Sequence, residues 1–260
     1  MSKWTDLPAD VIPKAWKTNL TQADATPQEE PGTIRWAERH GYGGGFYRYV
    51  QNKNGSALTV GAAVSFVAAV TLTATATGTV DSFPDTGLGV NDYQNDLCIC
   101  LDDAGAAGAT PEGTGGFVVQ NTAIKVSIDP DSPFGAAPVV GDTFQVMTNC
   151  HVIASASDDL QMEFAGIVQA ASLADDYWGW VQVTGRCARA NLKDQITITA
   201  LQALILDTAT LTISSTSALN KLVAVAVHGV SNDAGRLDYG VVDLMGYLPE
   251  FGAIQLNVTV

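Results

Sequence analysis

The sequence predicts an all-β fold, a β-sandwich or compact β-barrel preceded by an extended N-terminal arm. Three observations point there. After the first fifty residues Ala, Val, Thr, Gly and Ser dominate, while the straight-chain residues that favour long helices are scarce. Short apolar runs are separated by turn signals throughout. The first forty-five residues are broken by Pro8, Pro13, Pro27 and Pro31. Apolar residues make up 47% of the 260-residue chain and charged ones 15%, enough to bury a sizeable core and to exclude disorder for the bulk of it.

In chain order, residues 1–45 form the expected arm, with room for one helical turn around Ala9–Ile12. Gly41–Gly45 reads as a hinge. The arm holds Trp4, Trp16 and Trp36, three of the five tryptophans. Indoles are costly to leave in water and are favoured at protein interfaces. They dock either on another subunit or on the chain's own body.

The body, residues 46–260, starts with a strand at Phe46–Gln51 and a turn at Asn54-Gly55. Ala57–Ala69, Val70–Thr77 and Leu97–Leu101 follow, then a Gly/Ala loop over Ala104–Gly116. Phe117–Val119, Ala123–Asp129 and Thr143–Met147 come next, and a division into two subdomains is expected near 135–150. Glu163–Gln169 and Tyr177–Thr184 flank a turn at Ala174–Asp176. Ile196–Thr199, Leu222–Val227, Tyr239–Met245 and Ala253–Val260 complete the set. Many short strands of this kind indicate a sandwich or barrel.

The charge excludes some partners. The chain carries a net −14, and residues 54–260 hold six Lys/Arg against twenty-one Asp/Glu. Such a body is repelled by nucleic-acid phosphates and anionic membranes, so neither is an expected partner. No apolar run resembles a membrane span or an export signal. Cys98, Cys100, Cys150 and Cys187 are expected as reduced thiols, since their spacing fits neither a disulfide framework nor a CxxC zinc site.

Chemistry is hard to find. Cys150 and His151 are neighbours, and in a strand they would point to opposite faces. No GxSxG elbow, HExxH helix, EF-hand loop or phosphate loop is present. The acidic pairs Asp102-Asp103, Asp158-Asp159 and Asp175-Asp176 fall in turns, where carboxylates cap backbone amides. They also leave room for Ca²⁺ without singling out a ligand. No catalytic, cofactor-binding or metal-ligating residue is assigned, and an enzyme is not expected.

The most distinctive stretch is Tyr177-Trp178-Gly179-Trp180-Val181-Gln182-Val183-Thr184-Gly185, with Gly166–Ala171 ahead of it. With Phe46–Gln51 and Pro111–Val119 it resembles a pattern in tailed-bacteriophage virion proteins, of the head decoration (cement) type. The resemblance covers scattered motifs between residues 46 and 250. It implies a structural role on the capsid exterior after synthesis in the host cytoplasm. The implied partners are the major capsid protein and other copies of the chain, as a homotrimer. Alternation over 177–183 puts Trp178 and Trp180 on one face, either in the core or at an intersubunit contact. The interface candidates are thus Trp4, Trp16, Trp36, Trp178 and Trp180. A tail or fibre-base protein and a carbohydrate-binding β-sandwich stand as alternatives.

Overall fold

The computed structural model describes residues 17–39, 43–90, 92–104, 111–156, 163–193, 197–213, 222–227, 230–231 and 239–245. The fold is all-β, with no helix among the described residues. The chain opens with β1 (Ala23–Asp24), β2 (Ile34–Arg39), β3 (Gly43–Asn52), β4 (Leu58–Thr59) and β5 (Ala63–Phe66). A second group contains β6 (Val70–Thr73), β7 (Ser82–Pro84), β8 (Leu97–Asp102), β9 (Gly115–Thr122), β10 (Lys125–Ile128) and β11 (Thr143–Met147). The chain returns with β12 (His151–Ala154), β13 (Phe164–Val168), β14 (Ser172–Leu173) and β15 (Trp178–Gln182). It continues through β16 (Thr184–Asn191), β17 (Thr197–Ile198), β18 (Ala203–Asp207) and β19 (Thr210–Ile213). The last described strands are β20 (Leu222–Ala226), β21 (Val230–Ser231) and β22 (Tyr239–Met245).

The centre is a closed barrel. Its strands run β15-β13-β5-β12-β3, and β3 pairs back onto β15. Five strands enclose little space, so the interior takes small branched side chains. Val50, Val64, Val152, Ala165, Val168 and Val181 fill it. Gly166, at φ +145°, marks a register shift in β13. A Cβ there would lie 2.7 Å from the Gln182 carbonyl oxygen.

The second group forms its own six-stranded sheet, β6-β11-β8-β9-β10-β7. Its core is built on Phe83, Phe134 and Phe144, with Phe83 and Phe144 stacked at 3.9 Å between centroids. Cys98 and Cys100 share a buried face of this lobe, as the spacing predicts. The third sheet, β16-β22-β20-β18-β19, curls until Leu192, just past β16, bridges Leu211 of β19. Its core packs on the outside of the barrel through Ala63, Phe164 and Ile167.

Among the described residues, the N-terminal region takes the second of its two expected placements, on the chain's own body. Residues 17–39 belong to the body: β1 lies antiparallel on β15 and β2 on β3. Trp180 Nε1–H donates to Thr18 Oγ1 at 2.9 Å. The buried Glu29 carboxylate accepts from the Lys17 amide and from Arg35. Pro27 and Pro31 interrupt helix but sit between strands, where a missing N–H is harmless. Gly43–Gly45 is no hinge either, since it forms the start of β3, opposite Ala37–Arg39. A Cβ on Gly44 would collide with the Trp36 ring, so this glycine serves close packing.

The chain leaves the barrel for the second lobe through residues 67–69 and returns through 148–150. The third sheet begins directly after β15. Strands β7, β12, β14, β16, β18, β19 and β21 were not expected, and residues 81–85, expected as a break, contain β7. The Ala253–Val260 strand, Trp4 and Trp16 lie outside the described residues.

The phenylalanine stack gives a stability prediction. Phe144→Ala should cost about 3–5 kcal/mol in urea unfolding, because Phe83 and Phe134 both lose a partner in a closed core. A loss under about 1 kcal/mol would show that the stack is dispensable.

Candidate functional site

The side-chain cluster with the most chemistry lies where the second lobe meets the barrel. Asp96 sits immediately before β8, while Cys150 and His151 stand at the start of β12. His151 Nδ1 is 3.2 Å from Asp96 Oδ2, and both side chains are buried. One donor atom from each of Asp96, Cys150 and His151 falls within 4.8 Å of the other two.

Backbone bonds fix this arrangement. The Cys150 and His151 amides both donate to Thr148 Oγ1, at 3.1 and 2.8 Å. The Cys150 carbonyl accepts from the Gln51 amide, which ties the turn to β3. Asp96 is held by its amide on the Tyr93 carbonyl and by the Val118 amide on its own carbonyl. The Trp178 ring flanks His151 at 6.4 Å. Beside the cluster opens a cleft of about 340 Å³, bordered by Lys53, Val70, Asp92, Tyr93, Thr148 and Ile153.

The strand-alternation argument separated Cys150 from His151. It fails because β12 begins at His151, so Cys150 precedes the strand and is not bound by alternation. Sequence reasoning also missed Asp96, which no motif or spacing marks.

The cluster does not suit nucleophilic catalysis. Burial, and next the charge of Asp96, push the Cys150 thiol up to about 12. Cys150 is fully buried, so its sulfur is not open to a substrate. The turn carboxylates mostly serve the backbone. Asp129 accepts from the Asp131 amide, Asp175 from the Gly55 amide, and Asp142 from the Ala104 and Val139 amides.

The tryptophans divide. Trp178 and Trp180 are buried with Tyr47, Tyr49 and Cys150. Tyr49 contacts both indoles, stacked on Trp178 at 5.8 Å and tilted against Trp180 at 5.1 Å. Their rings are therefore taken up within this chain. Trp36 is 56% exposed and packs edge-on to Phe46.

Other apolar groups face outward on the second lobe. Leu101, Phe117 and Val119 are exposed on the sheet face opposite the phenylalanine core. Met147, Leu97 and Phe117 lie in register across β11, β8 and β9. Ile124, at the β9–β10 turn, is also exposed.

No family model, curated protein or solved structure matches this chain.

The buried thiols predict a pH dependence. Burial also raises Cys98 to about 12, with Cys100 as a second cause. Both thiols are held neutral more strongly in the folded chain than in the unfolded one. Their contribution is fully present below the ordinary thiol range near about 8.5 and is lost as pH rises toward the folded values. Urea midpoints should be level from about pH 7 to 8 and fall steadily above about 9. A midpoint unchanged to about pH 11 would contradict this.

Proposed function

We propose that this chain is a virion structural protein: a capsid decoration (cement) protein that binds the outer face of a tailed-phage head and neighbouring copies of itself. The observation that carries the reading is the set of exposed apolar side chains Leu101, Phe117 and Val119 on the outer face of β8 and β9, together with Trp36 on β2, on an otherwise acidic chain. Large apolar groups left exposed on a folded surface favour a protein partner. The net charge of −14 disfavours nucleic acid.

The sequence resemblance supports the same reading at the level of fold. Phe46–Gln51, Gly166–Ala171 and Tyr177–Gly185 contain or overlap β3, β13 and β15, which are neighbours in the barrel. Most of the shared pattern thus lies in the barrel, while its Pro111–Val119 motif runs into β9 of the second lobe and carries the exposed Phe117 and Val119. Attachment works by burying apolar area that exists as a binding site only on the assembled shell. It stabilises that shell by mass action.

The expected oligomer is a homotrimer, which light scattering checks. Cosedimentation with heads stripped of this chain tests attachment. Saturable binding should fall about 100-fold, roughly 2.7 kcal/mol, for the double change Phe117→Asp and Val119→Asp. The circular dichroism should not change. Removing residues 1–16, which carry Trp4 and Trp16, should weaken attachment in the same direction. Equal binding by all variants, or binding to tails alone, would sink the decoration reading.

A further inference from the structure

We propose that Asp96, Cys150 and His151 form a binding site for one divalent transition-metal ion of the zinc type, which clamps the second lobe to the barrel. This inference is independent of the assembly reading. It starts from an unpaired buried atom: Asp96 Oδ2 faces His151, but Asp96 Oδ1 is buried with no hydrogen-bond partner. A carboxylate oxygen withdrawn from water without a partner is costly, and a cation is the most effective group to offset that cost.

The donor set selects the ion. Thiolate, imidazole and carboxylate together suit borderline-soft Zn²⁺ or Co²⁺, whereas Ca²⁺ and Mg²⁺ take oxygen ligands. Tetrahedral zinc with ordinary bond lengths places its ligand atoms roughly 3.3–3.8 Å apart. The His151–Asp96 separation of 3.2 Å is close to that, and all three donors lie within 4.8 Å. Small side-chain rotations therefore suffice.

Charge and surroundings agree. On binding, the Cys150 thiol releases its proton to solvent, and the thiolate and the Asp96 carboxylate together balance the ion's two positive charges. Thr148 holds the backbone of both Cys150 and His151. The adjoining cleft supplies an entry path and room for water as a fourth ligand. Asp96 belongs to the second lobe, while Cys150 and His151 lie where the chain re-enters the barrel. One ion would thus cross-link the two bodies where the chain passes between them.

The test uses the full chain, reduced and freed of metal by a chelator. Titration with Zn²⁺ in a calorimeter should give one site per chain. Titration with Co²⁺ should produce thiolate-to-cobalt charge-transfer absorption in the near ultraviolet. Cys150→Ser should lose that absorption and weaken Zn²⁺ binding by at least ~100-fold. Asp96→Asn, close in shape, should weaken it by ~10-fold or more. Zn²⁺ should raise the Tm of the wild-type chain but not that of Cys150→Ser. Absence of saturable binding by the wild-type chain overturns the proposal, whatever the variants do. Cobalt binding without thiolate absorption, or with absorption that survives in Cys150→Ser, also overturns it by placing the ion elsewhere.

Discussion

The structure depends on the pairing of β3 with β15, where Tyr49 sits against Trp178 and Trp180. This pairing closes the barrel, so without it the same strands would form an open sheet with two bare edges. The aromatic groups lie on its outer side, where they need a cover. Residues 17–24 supply one, with Thr18 accepting from the Trp180 indole and Asp24 from the Tyr49 hydroxyl. Aromatic side chains bring large apolar area and a polar tip, and here both are used. The N-terminal segment is thus drawn into the body by the residues it shields.

The same strand positions the junction. The far end of β3 runs parallel to β12, with Gln51 opposite His151. The Gln51 amide holds the Cys150 carbonyl. Barrel closure therefore sets where Cys150 and His151 stand, while Asp96 is set by the second lobe's own hydrogen bonds. Two independently built bodies meet in three buried polar side chains.

Much of the fold was legible where alternation is regular and one face is buried. Thr143–Met147 and Tyr239–Met245 coincide with β11 and β22, and the alternation over 177–183 places Trp178 and Trp180 on the face they occupy. Legibility failed where one residue type serves two purposes. Gly43–Gly45 looked like slack but makes room for Trp36 and the Thr184 carbonyl. Pro27 and Pro31 mark turns between strands as readily as an arm. The hairpin of β18 and β19 turns at Ala209, a non-glycine residue at φ +52°, so it lacked the usual turn signal. The Asp96 cluster was invisible because its members come together only through the meeting of two sheets.

Strands β5 and β12 are antiparallel neighbours, with Val152 opposite Phe66. Everything from Val67 to Cys150 is therefore looped out from the tip of a single hairpin. A short turn in its place would leave the barrel's hydrogen-bond ladder intact. The six-stranded body, with a phenylalanine core of its own, is a guest domain seated in a host hairpin. Its folding is local, whereas the host must wait for distant strands to find each other. A chain built in this way can exchange or lose its outer decoration over evolutionary time while the barrel stays unchanged.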